Sequence, residues 1–133
     1  MDKAKFLRDH DIPSSVIWTE DWRGGEFSGD AYQLKEEWEV DPTLYPDLSG
    51  TISSLNDQGF AFHGYFNQFV YLSSKAYTET SPNGWLIKTR AGDDYLFTGA
   101  KFTETSLLDL THPDANQWAA DKMRGLMDLG ADG

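Results

Sequence analysis

Val16-Ile17-Trp18-Thr19-Glu20-Asp21-Trp22, followed by Arg23-Gly24-Gly25, decides how this chain is read. The first four residues are β-branched and aromatic, the composition of a buried strand. Two acids and a tryptophan follow, and a glycine pair then turns the chain into a loop. Phe60-Ala61-Phe62-His63-Gly64-Tyr65-Phe66 has the same form, an apolar run predicted as a second buried strand that ends at Asn67-Gln68. Between the two runs, Leu48, Ile52 and Leu55 fall at helical spacing. Pro46 sits where a first helical turn tolerates a missing N–H, and Gly59 suits the C-terminal cap. Strand, helix, strand at this spacing is a βα unit and implies a parallel sheet.

Working outward, residues 2–10 read as a short helix carrying Ala4 and Leu7, ended by Ile12-Pro13. Residues 26–41 show no clean period and are expected to form a long loop. Residues 69–105 carry turn signals at Ser81-Pro82-Asn83-Gly84 and Ala91-Gly92-Asp93. Trp85-Leu86-Ile87 and Tyr95-Leu96-Phe97 are predicted there as short strands of a hairpin-like insertion. Leu107-Leu108-Asp109-Leu110 is an apolar run with one acid expected to be buried. Thr111 fits an N-cap, with Asp114 three residues on. Ala115, Trp118, Ala119, Met123, Leu126 and Met127 then share one face of a third helix, which Gly130 closes. A new strand would begin at Ala131-Asp132-Gly133.

A chain of 133 residues has room for one domain and a modest core. Its net charge of −11 argues against a nucleic-acid partner, because phosphate binding needs clustered Lys and Arg. No apolar run approaches the roughly 20 residues that span a bilayer. The charged start, MDKAKFLRDHDIP, lacks the apolar core of a signal peptide, so a cytoplasmic location is expected. Without cysteine there is no disulfide or thiolate chemistry. No cofactor or metal is expected. Glycine loops for phosphate and nucleophile elbows are lacking, and His10, His63 and His112 have no metal-ligand spacing. His63 reads as a core histidine. Glu36, Glu37, Glu39 and Asp41 lack the regular spacing and glycine turn of a calcium loop and read as a solvated acidic face. Aromatics, at 14%, are abundant enough to wall a sugar pocket, although most such rings simply fill a core.

In parallel βα folds the C-terminal strand ends form the active face. Here those ends bring Glu20, Asp21 and Trp22 together with Tyr65 and Asn67, the expected substrate-binding residues. Acids, an aromatic ring and an amide suit a sugar, whose hydroxyls seek such acceptors. The plainer alternative is that Glu20 or Asp21 caps the following turn or pairs with Arg23.

Several blocks lie in one order: Ile12-Pro13, Ile17-Trp18-Thr19-Glu20-Asp21-Trp22, Trp38-Glu39-Val40-Asp41 and Tyr45-Pro46-Asp47. They continue with Gly59-Phe60, Gly64-Tyr65-Phe66-Asn67, Asp109-Leu110-Thr111-His112-Pro113-Asp114-Ala115 and Leu129-Gly130-Ala131-Asp132-Gly133. Together they resemble the catalytic domain of glycoside hydrolase family 31. The resemblance implies an α/β fold in which residues 1–133 form one partial (β/α)8-barrel domain, since a whole barrel needs about 250 residues. It implies a retaining α-glycosidase of α-glucosidase or α-xylosidase type, acting through two aspartates as nucleophile and acid/base. The nucleophile of the family follows shortly after the glycine matching Gly133, and the acid/base comes later still. No catalytic residue is therefore expected within these 133 residues, and the chain alone is expected to be inactive. Glu20 matches an acid or amide that holds hydroxyls of the cleaved sugar, and Tyr65 matches a pocket-lining Trp or Ile.

Two departures stand out. Asn67-Gln68 replaces an Asn-Pro or Asp-Pro of the family. Within the similar sulfoquinovosidase branch, the Arg and Trp that grip the sulfonate fall, counted without gaps, at Gln33 and Glu36. A carboxylate there repels a sulfonate, which argues against sulfoquinovose as substrate. A partial barrel leaves strand edges and an inner face open, which predicts self-association or pairing with a complementary barrel fragment. Two alternatives remain: a standalone, non-catalytic carbohydrate-binding or assembly half-barrel, and an unrelated α/β domain that shares the fold alone.

Overall fold

A computed structural model describes residues 2–99 and 102–133. The element order is α1 (Asp2–Asp9), β1 (Val16–Thr19), a 3-10 turn (Asp21–Arg23), β2 (Gly25–Ser28), β3 (Ala31–Leu34) and α2 (Leu48–Asn56). It continues with β4 (Ala61–Gly64), β5 (Phe69–Tyr71), α3 (Lys75–Thr80), β6 (Phe97–Gly99), β7 (Phe102–Leu107) and α4 (Pro113–Met127). The expected βα unit is present: β1 and β4 are parallel, with Ile17 opposite Phe62 and Thr19 opposite Gly64, and α2 connects them. The last residues run along the other side of β4. Asp132 N–H donates to Phe62 O at 2.9 Å, and Phe62 N–H donates to Asp132 Oδ2 at 2.9 Å.

Burial of apolar side chains fixes this arrangement. One core packs Trp22, Ile52, Leu55, Phe60, Phe62 and Leu126 between the parallel pair and the helices α2 and α4. A second core joins Trp38, Val70, Leu86, Leu108, Ala115 and Ala119, and Phe66 touches both. The approach of α4 to β4 requires glycine at position 64, where a β-carbon would stand 2.3 Å from Leu126 Cδ2. Arg8 fastens α1 to the same body. Its guanidinium lies 3.6 Å over the Phe60 ring and donates to Gln58 O and Ser14 O at 2.8 and 2.9 Å.

Several sequence expectations are corrected. β1 is not buried on both faces, because Val16 and Trp18 are exposed while Ile17 packs inward. Residues 26–41 are not all loop: β2 and β3 form an antiparallel hairpin turning at Gly29, whose φ of +62° suits a tight turn. The insertion at 69–105 is more than a hairpin. β5, β7 and β6 make a three-stranded antiparallel sheet, and α3, capped by Ser74, lies between β5 and β6. Pro46 precedes the N-cap of α2, which is Asp47, whose Oδ1 accepts from Gly50 N–H at 2.9 Å. The N-cap of α4 is His112, not Thr111; the His112 ring nitrogen accepts from Asp114 N–H, while Thr111 donates to Asp109. Asp109 is half-exposed, and its carboxylate serves this turn.

On α4 the expected apolar face splits, with Leu126 2% exposed beside Met127 at 45%. Leu126→Ala is therefore expected to cost about 2–5 kcal/mol of stability, and Met127→Ala less than about 0.5. Urea unfolding of the two variants checks this difference, and equal losses would contradict the packing described.

Candidate functional site

A cleft of about 530 Å³ opens where the chain leaves the C-terminal ends of β1 and β4. β1 and the residue pair after it contribute Trp18, Thr19, Glu20 and Asp21. The segment following β4 contributes Tyr65, Asn67, Phe69 and Tyr71. The hairpin supplies a further wall, with Tyr32, Gln33, Leu34 and then Glu36. Trp18 and Tyr65 meet edge to face, 5.7 Å between ring centroids, and both rings are open to solvent. Of the expected residues, Glu20, Asp21, Tyr65 and Asn67 thus converge on one cavity. Trp22 does not. It is 1% exposed in the first core, and its indole Nε1–H donates to Tyr65 O at 3.0 Å.

Asp21 faces the cleft with both oxygens already taken. Thr19 and Tyr45 donate to Oδ1 at 2.7 and 2.5 Å, and Tyr32 donates to Oδ2 at 2.6 Å. Burial works to raise this carboxyl, but the three hydroxyls outweigh it and hold it below the ordinary carboxylate value. Burial and the bond to Asp21 in turn push both Tyr32 and Tyr45 up to about 12. The hydroxyls thus pin the hairpin and the loop before α2 to the end of β1.

Glu36 was expected in a solvated acidic face and is instead 2% exposed, at a φ of +50° that non-glycine residues rarely adopt. Arg23 Nη2 lies 2.6 Å from Glu36 Oε2, and Asn67 Nδ2 donates to Oε1 at 3.2 Å. Arg23 therefore pairs with Glu36, and neither Glu20 nor Asp21 is its ion-pair partner. Burial raises the Glu36 carboxyl, while Arg23 and Asn67 pull it back down. Burial also lowers Arg23, with Glu36 opposing. The other acids of that run are partnered too: Glu39 bridges Lys75 and Lys122 at 2.7 Å each, and Asp41 Oδ1 accepts from Thr43 N–H. Among the described residues no group of three or more His, Cys, Asp or Glu is placed to hold a metal ion. No helix there is long and apolar enough to cross a membrane.

Strand ends that carry acids and open aromatic rings into a cleft agree with a comparison over the full length of the chain. Residues 1–133 match the Glycosyl hydrolases family 31 TIM-barrel domain. The chain belongs to glycoside hydrolase family 31. A sulfoquinovosidase of Escherichia coli is 27% identical over 132 residues, covering 98% of this chain and 19% of its own length. The alpha-xylosidase XylQ of Lactiplantibacillus pentosus is 28% identical over 134 residues, covering 95% and 16%. Among solved structures, a family 31 sulfoquinovosidase from E. rectale, in complex with the aza-sugar inhibitor IFGSQ, superposes with a TM-score of 0.84. It is 30% identical and covers 99% of this chain and 19% of that one. A family 31 dextranase of Flavobacterium johnsoniae complexed with glucose, 19% identical, shares the fold at a TM-score of 0.81, covering 99% and 16%. The chain spans about a fifth of the length of these relatives.

Gln33 and Glu36, the two positions set apart from the sulfoquinovosidase branch, both line the cleft. Arg23, Tyr32 and Tyr71 were not among the expected site residues, and Gln33 and Glu36 had been singled out only through the resemblance; for Tyr32 and Gln33 the local signal was the Gly29-Asp30 turn that folds the hairpin back.

Because the folded Asp21 carboxyl lies below its unfolded value of about 3.9, its stabilising effect is complete above that pH and lost as the pH falls further. Asp21→Asn is expected to flatten the acid-side decline in stability below about pH 4. Urea unfolding at a series of acidic pH values checks this, and an unchanged slope would contradict the hydroxyl cage.

Proposed function

We propose that this chain is a segment of the (β/α)8 barrel of a retaining family 31 α-glycosidase, and that its 133 residues hold a sugar without cleaving it. Residues 1–133 form one partial barrel domain on this reading, and the ligand is an α-glycoside of glucoside or xyloside type. The observation that supports it most is the state of the three carboxylates in the cleft. Retention requires two carboxyl groups about 5–5.5 Å apart, one free to attack and one free to exchange a proton. Asp21 is caged by three hydroxyls and Glu36 is held by Arg23 and Asn67. Among the described residues, Glu20 has neither a hydrogen bond nor an ion pair, which leaves one free acid where the chemistry needs two.

The remaining surface suits holding a ring. Trp18 and Tyr65 offer aromatic faces to an apolar sugar face, and Glu20 and Gln33 offer acceptors to its hydroxyls. A second reading is a standalone, non-catalytic carbohydrate-binding or assembly half-barrel. It draws on the exposed Val16 and Trp18 of β1, which a second copy or a complementary barrel fragment would cover.

The purified chain is expected to show no hydrolysis of aryl α-glycosides above buffer, and turnover that persists through purification would contradict the proposal. Methyl α-glucoside is expected to shift the NMR signals of Trp18 and Tyr65. Trp18→Ala is expected to weaken that binding by about tenfold, the order for losing an aromatic face.

A further inference from the structure

The backbone of Tyr65 is held on both sides. Its N–H donates to Thr19 O at 3.0 Å, and its carbonyl accepts from the Trp22 indole N–H at 3.0 Å. The remaining freedom is rotation of the side chain among staggered rotamers. Among the described residues the Tyr65 hydroxyl has no hydrogen-bond partner, so the ring is not tied at its far end. Trp18 meets the ring edge-on, but Trp18 is itself 54% exposed and braces little. Arg23 is placed differently. Its side chain is 0% exposed, and its guanidinium lies over the Tyr65 ring with Cζ 5.5 Å from the centroid. The 2.6 Å contact from Arg23 to Glu36 is misaligned for a hydrogen bond, and Arg23 Nε, Nη1 and Nη2 find no protein acceptor. The charge of this cation is thus answered by the Glu36 carboxylate and by the π electrons of the Tyr65 ring. Two adjacent residues of the 3-10 turn grip Tyr65, Trp22 by its carbonyl and Arg23 by its ring.

Resting on the reading of the cleft as a sugar site, we propose that Arg23 is a positioning residue for sugar binding. Its buried guanidinium holds the Tyr65 ring in one rotamer, so that the ring stands as a platform for the apolar face of a pyranose. A cation attracts an aromatic ring most strongly where water is excluded, and Arg23 is fully buried. Tyr65 lines the cleft and Arg23 does not, so any effect of the cation on a ligand passes through the ring. A platform already in place spares the cost of ordering a mobile side chain when the sugar arrives. Glu36 serves as the counter-charge that keeps the guanidinium beside the ring.

The Arg23→Met/Glu36→Gln double variant removes both buried charges together and tests this by two NMR readouts on the whole chain. The Hα–Hβ couplings of Tyr65, measured without sugar, report its rotamer. They are expected to be those of a single staggered rotamer in the wild type and averaged in the double variant. Titration with methyl α-glucoside is expected to show affinity about fivefold weaker in the double variant, the order for ordering one side chain. In a Tyr65→Leu background the same pair of changes is expected to alter affinity by less than about twofold. A merely structural Arg23 would lower stability on substitution and leave the Tyr65 couplings unchanged in the folded variant, and that result overturns the proposal. Averaged couplings in the wild type overturn it as well. So does an equal loss of affinity with and without Tyr65, which would show the pair acting on the sugar by another route. Should the double variant fail to fold, Arg23→Gln/Glu36→Gln puts two amides in place of the charges, and the same outcomes apply. Failure of the wild type to bind methyl α-glucoside at millimolar concentrations overturns the sugar-site reading itself, whatever the couplings show.

Discussion

Glu36 comes from the segment after β3, Arg23 from the 3-10 turn after β1, and Asn67 from the segment after β4. The three walls of the cleft meet where Arg23 and Asn67 both reach the Glu36 carboxylate. Such a junction is expensive. Two charges leave water, at several kcal/mol per ion, and Glu36 also adopts a backbone conformation that costs about 1–3 kcal/mol. Close attraction at 2.6 Å offsets part of this, and the misaligned contact limits how much. The pair is thus better understood as fixing position than as adding net stability. Asp21 does the complementary work on the outer rim, where its hydroxyl cage involves no second buried charge.

The cleft stands where it does because two strands run parallel. Parallel strands need a crossover, α2 supplies it, and both chain exits then fall at one end of the pair. Helices α2 and α4 cover one face of the pair, which leaves Trp18 exposed toward the ligand side. The second core braces the outer wall: Trp38 sits in it, donates its indole N–H to Phe69 O at 3.1 Å, and so ties the segment carrying Glu36 to β5. Glu39, between Lys75 and Lys122, extends this brace to α3 and α4. Each such exposed pair contributes little alone, and their common effect is to keep the segment in register.

Much of this was legible in the sequence, and the failures have local causes. Val16–Thr19 declared itself by β-branched and aromatic content, Ala61–Gly64 by lying within the apolar, aromatic run from Phe60 to Phe66, and the apolar spacing of Leu48, Ile52 and Leu55 gave α2. From those came the parallel pair and the end that carries the cleft. Trp22 was misplaced because the strand end Glu20-Asp21-Trp22 was taken whole as facing the site, whereas the 3-10 turn at Asp21–Arg23 rotates Trp22 into the core. The hairpin was hidden because Phe27 and Tyr32, facing each other across it, are both exposed, so no alternation of apolar and polar residues marks it. Glu36 was one acid in a run of acids. Only its partner, distant in sequence, distinguishes it from Glu37 and Glu39, and no local pattern names that partner.

Whether the Arg23–Glu36 pair joins the walls of the cleft is most directly tested by a double-mutant cycle in stability, with Arg23→Met, Glu36→Gln and both together. Each single variant should lose about 3–5 kcal/mol by leaving one charge buried alone, and the double variant should lose far less than their sum. Additive losses would mean that the two side chains act independently, and the cleft would then have to be explained without them.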